Sequence, residues 1–106
     1  MKTQKIKTLN NLEEIGWNAD FRNSQVEDLG NLRRIRFDAI FSNSKIKTLS
    51  NLEEIGRDAD FRNSEIEDLG KLRMIGRKIY VNNKNKNLIR LLKGKHWSRK
   101  INVIED

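Results

Sequence analysis

His96 is the only histidine in the chain. It stands in a charged C-terminal stretch with no serine–acid arrangement beside it, so a nucleophile–base relay has nothing to work with. The absence of cysteine excludes disulfides, zinc-thiolate sites and thiol nucleophiles. No glycine-rich phosphate loop or metal-ligand spacing occurs. Carboxylates are what remains. Asp20, Asp38, Asp58 and Asp60 recur at related positions and could converge to hold a hard cation. Arg22, Arg57 and Arg62 lie close enough in sequence to neutralise them instead. The expectation is therefore no catalysis, no metal and no cofactor.

Residues suited to recognition are more numerous. One series, spaced by twenty, is Trp17, Phe37, Arg57, Arg77. Others are Asn18, Asp38, Asp58, Lys78, then Asp20, Ile40, Asp60, Tyr80, and Arg22, Ser42, Arg62, Asn82. Aromatic side chains flanked by arginine are the usual material of protein-interface anchors. Trp17, Asp20, Arg22, Phe37, Ile40, Arg57, Asp60, Arg62, Arg77 and Tyr80 thus form a candidate surface for a protein partner, with Trp17, Phe37, Ile40 and Tyr80 as anchors. A second candidate is the basic stretch Lys84, Lys86, Arg90, Lys93, Lys95, Arg99 and Lys100, with His96 and Trp97 among the cations. Such a pattern can track a phosphate backbone while an aromatic stacks on a base. Long cationic side chains also solubilise a cap whose other side is apolar.

The element that positions these residues is a repeat of twenty. Its units are 6–25, 26–45, 46–65 and 66–85, and the first and third agree at 16 of 20 positions. Each unit holds an A-x-F stretch, whose alternation predicts a half-buried strand. Ahead of it, apolar residues recur every third position, as in Ile66, Leu69, Leu72 and Ile75. That spacing suits extended or 3₁₀ turns rather than an α-helix of period 3.6. Ile79 and Val81 replace Ala and Phe in the last unit, conserving volume. Asn23, Asn43, Asn63 and Asn83, with Ser24, Ser44 and Ser64, fit a sharp turn where their side chains satisfy backbone groups.

The pattern I-x-x-L-x-x-L-x-x-I-G-x-x-A-x-F-x-N-S resembles the leucine-rich repeat family, at its short end, over residues 6–85. It is also similar to the L domains of growth-factor receptors. Gly56, Ala59, Phe61, Ser64 and Ile66 fall on the family's L-x-x-L-x-L-x-x-N-x-L stretch, although Gly, Ala and Phe stand for leucines and Ser for Asn. The resemblance implies a β-solenoid: one domain over 1–106, four right-handed rungs, and one parallel sheet along the length, which in such proteins is the usual binding face.

Stacking the units in register makes outward charges alternate in sign: Lys7, Glu27, Lys47, Glu67; Glu13, Arg33, Glu53, Arg73; and Glu14, Arg34, Glu54, ending at Met74. Duplication of a two-unit block would generate alternation by itself. Agreement among three columns points to a role in register, because a slip of one unit would bring like charges together.

Both ends of such a stack need covers. Leu88, Leu91 and Leu92 have helical spacing with Gly94 as a stop, and Ile101, Val103 and Ile104 read as a short strand or extended apolar segment, so 86–106 is expected to be a helix-containing cap that lays its leucines, and in one reading Trp97, over the last unit. Only five residues precede the first unit. Ile6, Leu9 and Leu12 are expected to be incompletely covered, a route to homo-oligomers, and Trp17 could cover that end. No stretch has the length and apolarity of a membrane span or a signal peptide, which together with the lack of cysteine points to the cytoplasm. The function expected is recognition of a protein partner, as adaptor or inhibitor. Nucleic-acid or nucleoprotein binding through 84–100 is the alternative, and structural self-assembly the third.

Overall fold

A computed structural model describes residues 3–7, 9 and 11–105. In chain order the elements are β1 (Thr3–Lys5), β2 (Glu14–Ile15), β3 (Asn18–Asp20), β4 (Arg34–Ile35), β5 (Ala39–Ile40), β6 (Glu54–Ile55), β7 (Ala59–Asp60), β8 (Met74–Ile75), β9 (Ile79–Asn82), α1 (Lys86–Gly94), a 3₁₀ turn (Ser98–Lys100) and β10 (Ile101–Ile104). Every strand pair is parallel, and the strands form two sheets, ordered β1-β3-β5-β7-β9-β10 and β2-β4-β6-β8. Internal neighbours are offset by one twenty-residue unit: Ile15, Ile35, Ile55 and Ile75 stand in one row, and Ala19, Ala39, Ala59 and Ile79 in another.

The single sheet expected from the sequence is therefore corrected to two. The apolar-every-third side does turn, with the Leu32 amide donating to the Leu29 carbonyl at 3.0 Å. Its last two residues are extended, however. The Arg33 amide donates to Glu13 at 2.8 Å and the Arg36 amide to Ile15 at 2.9 Å. Amides beside buried Ile15 and Ile35 need acceptors, and the nearest lie in the preceding unit, so a second ladder closes.

Between the sheets lies one continuous apolar cluster. Phe21, Phe41 and Phe61 stack with ring centroids 5.1 and 5.5 Å apart, and Val81 extends the buried row. Two kinds of tight place shape the circuit. Gly70 has φ +54 and follows an Asx turn in which its amide donates to Asp68 Oδ1 at 2.8 Å. Gly56 passes so close to the preceding unit that a Cβ there would lie 2.0 Å from the Arg36 carbonyl oxygen.

The Asn row sits at the turns, held among the described residues by backbone bonds and not by the side-chain bonds expected: the Asn23 amide donates to the Asn43 carbonyl at 3.1 Å and the Asn43 amide to the Asn63 carbonyl at 3.0 Å. Asn23, Asn43 and Asn63 have φ of 58, 53 and 53, the left-handed region that Asn tolerates. Ser24 Oγ accepts from the Val26 amide at 3.2 Å, whereas the Ser44 and Ser64 hydroxyls are buried without a partner.

Two charge columns close as ion pairs. Arg33 lies 3.6 Å from Glu13 and 3.5 Å from Glu53, and Arg34 lies 3.8 Å from Glu14 and 3.3 Å from Glu54. Where Met74 ends the second column, Arg73 reaches across to Glu54 at 3.1 Å while holding Glu53 at 3.3 Å. The Lys7–Glu27–Lys47–Glu67 series is corrected. The Glu67 amide donates to the Lys47 carbonyl at 2.7 Å, but all four side chains are exposed to solvent and no ion pair joins them.

Both ends are covered on the longer sheet. β1 pairs with β3, Lys5 standing beside Asp20, and leaves Ile6 and Leu9 buried; Leu12 remains 36% exposed. At the other end Asn85 caps α1 by accepting from the Leu88 amide at 3.3 Å, Leu88 and Leu92 pack into the core, and β10 pairs with β9. Among the described residues no helix is long and apolar enough to cross a membrane.

Candidate functional site

The outer side of the longer sheet carries the candidate partner residues, held by a ladder whose neighbours are one unit apart. Asp20, Ile40, Asp60 and Tyr80 stand in one row across β3, β5, β7 and β9. Asp20 is 6% exposed, and its carboxylate accepts from Arg22 Nε at 2.9 Å, Arg22 Nη2 at 2.8 Å and the Arg22 amide at 2.9 Å. Lys5 Nζ lies 3.8 Å away. These hydrogen bonds, above all those from the Arg22 side chain, outweigh burial and hold the Asp20 carboxyl below the ordinary carboxylate range. Asp60 repeats the fork, accepting from Arg62 Nε at 2.8 Å and Nη2 at 2.6 Å, and this makes the Arg62 guanidinium harder to deprotonate. Two forks one unit apart from half-buried Ile40 therefore frame the centre of the face.

The aromatic residues are stacked rather than loose. The Arg62 guanidinium lies over the Tyr80 ring at 5.7 Å, and that of Arg57 over the Phe37 ring at 5.7 Å. Such contacts favour one orientation of both partners, by about 0.5–1 kcal/mol at an exposed site. Trp17, at the corner between the sheets and 45% exposed, is the most open aromatic of the row, and exposed Arg57 and Arg77 follow beyond Phe37. A cleft of about 570 Å³ runs along the turn edge past Arg22, Ser42, Arg62, Asn82 and Lys84.

The row Asn18, Asp38, Asp58 serves the scaffold. Each side chain accepts the backbone amide one unit on: Asp38 N to Asn18 Oδ1, Asp58 N to Asp38 Oδ1 and Lys78 N to Asp58 Oδ1, at 2.9, 2.9 and 3.0 Å. The four aspartates are thus divided between arginine forks and backbone amides. Among the described residues no group of three or more metal-ligating side chains is placed to hold an ion.

The basic segment divides differently from its sequence pattern. Lys84, Lys86, Arg90, Lys93, Lys95, His96 and Arg99 are exposed, and Lys100 is half-buried. Of the two roles open to Trp97, stacking on a base and covering the last unit, the structure has the second: at 9% exposure it belongs to the apolar cluster, where the open end of the last unit needs a large apolar cover. It is not offered to a base. No protein-family model, no curated protein and no solved structure matches the chain.

Proposed function

We propose that the chain is a leucine-rich-repeat-like solenoid, one domain of four rungs and a cap, that recognises a protein partner through the outer side of its longer sheet. It acts as an adaptor or inhibitor in a reducing compartment, the cytoplasm, and performs no chemistry of its own. The observation that carries this reading is the pre-ordering of its anchors. Phe37 lies under Arg57 and Tyr80 under Arg62, on backbone fixed by ladder bonds, next to exposed Trp17. Rigid aromatic and arginine side chains lose little entropy when a partner covers them, which is where interface affinity comes from.

The test is a comparative capture with the Trp17→Ala, Phe37→Ala, Tyr80→Ala triple variant. Removing a true anchor costs about 2 kcal/mol or more, roughly 30-fold in affinity. The native protein is expected to retain a nuclease-resistant protein partner that the variant, with its melting temperature little changed, does not. Equal retention by both would defeat the proposal.

A further inference from the structure

The net charge of the protein is confined to one end. Residues 1–65 carry eleven basic and eleven acidic side chains, whereas residues 66–106 carry eleven basic and four acidic. In the structure most arginines ahead of the cap are neutralised, while Lys7, Lys45, Lys47 and Arg57 have no ion pair among the described residues but stand among an equal number of acids; the cap's cations have neither pairs nor enough acids to balance them. Arg22, Arg33, Arg34, Arg36, Arg62 and Arg73 each hold a carboxylate within ion-pair distance. Among the described residues no carboxylate pairs with Lys86, Arg90, Lys93, Lys95, Arg99 or Lys100. Arg90 reaches only the neutral Asn87 Oδ1, and Lys86 only Asn83 Oδ1.

We infer that this end of the molecule docks on the phosphate backbone of double-helical nucleic acid, without reading bases. Three observations select that partner. With Trp97 buried, the small His96 ring is the one exposed aromatic among the described residues of the cap, which leaves a single strand little surface on which to stack its bases. Leu88 and Leu92, the apolar side of α1, are already packed in the core, so the helix has no free apolar side to sink into a bilayer. What faces solvent along α1 and the following turn is Lys86, Arg90, Lys93, Lys95 and Arg99, a cationic surface suited to a regular row of anions. A duplex presents one phosphate charge per about 1.7 Å of axis, so about 9 Å of duplex supplies as many phosphates as these five cations. This inference rests on the cap alone and is independent of the sheet-face proposal.

The test measures binding of a fluorescent twenty-base-pair mixed-sequence DNA duplex across a salt series. Neutralising about four to five phosphates gives a slope of about −4 in log K against log salt. Unrelated duplex sequences of equal length are expected to bind equally, and the corresponding single strand more weakly. The variant Arg90→Gln, Lys93→Gln, Lys95→Gln, Arg99→Gln is expected to lose at least about tenfold in affinity in low salt, with the slope reduced to about −1. Lys7→Gln, Lys45→Gln, Lys47→Gln, which removes charge from the neutral part, is expected to stay within about twofold, as is the triple aromatic variant. The inference is overturned by salt-insensitive or absent duplex binding, by equal loss in the Lys7, Lys45, Lys47 variant, by no loss in the cap variant, or by tighter binding to the single strand or to phosphatidylserine vesicles.

Discussion

Gly16 and Gly56 hold equivalent places in their units, yet only one is constrained. A Cβ on Gly56 would meet the Arg36 carbonyl oxygen at 2.0 Å, whereas one on Gly16 would meet nothing within 4 Å. Gly56→Ala is therefore expected to lower stability by about 2 kcal/mol or more, and Gly16→Ala to stay within about 0.5 kcal/mol, in denaturant titrations. Asp20 gives a pH-dependent case. Its carboxyl titrates lower in the folded chain than in the unfolded one, chiefly because Arg22 hydrogen-bonds it. Its contribution is thus complete above the ordinary carboxylate range and disappears as pH falls through the lowered value. Asp20→Asn should melt below the native protein at neutral pH, and the difference should close in strong acid. A gap independent of pH would rule out the ionic origin. At this scale the sequence showed Asp20–Arg22 and Asp60–Arg62 as neighbours, and the structure makes them forks. It did not show that Asp38 and Asp58 cap amides one unit away, because that depends on how closely two backbones approach.

Among the elements, the phenylalanine stack and the cap hold the circuit closed. Phe41 lies between Phe21 and Phe61 and is fully buried. Phe41→Ala should cost about 3–5 kcal/mol, measured by chemical unfolding. The ion-pair columns contribute less. Glu53 holds both Arg33 and Arg73, all well exposed except Glu53 itself, and a double-mutant cycle on Arg33 and Glu53 should return about 0.2–1 kcal/mol, shrinking with salt. The A-x-F strands and the leucine spacing of α1 were legible because each imposes a period over several residues. The β2-β4-β6-β8 sheet was not, since its strands sit at the end of the apolar-every-third stretch and add no alternation of their own to it. Trp97 was open to two readings, since its charged neighbours suggested a surface and the last apolar row needed a cover, and its burial decides for the cover.

For the molecule as a whole, each unit touches mainly the units beside it, so protection should rise toward the middle. The amides of Ala39 and Phe41, which donate to Asp58 and Asp60 at 2.9 Å each, are expected to exchange hydrogen more slowly than those of β1, whose residues are all exposed. Uniform exchange rates from β1 to β9 would contradict a hierarchy of local opening. The alternating columns carry one more implication. Their signs repeat every second unit, and the first and third units are near copies. Electrostatics therefore reject a displacement by one unit but are blind to a displacement by two. Entangled dimers formed during concentrated refolding should consequently trade units in pairs, and only β1 at one end and α1 with β10 at the other distinguish the correct partner from its twin.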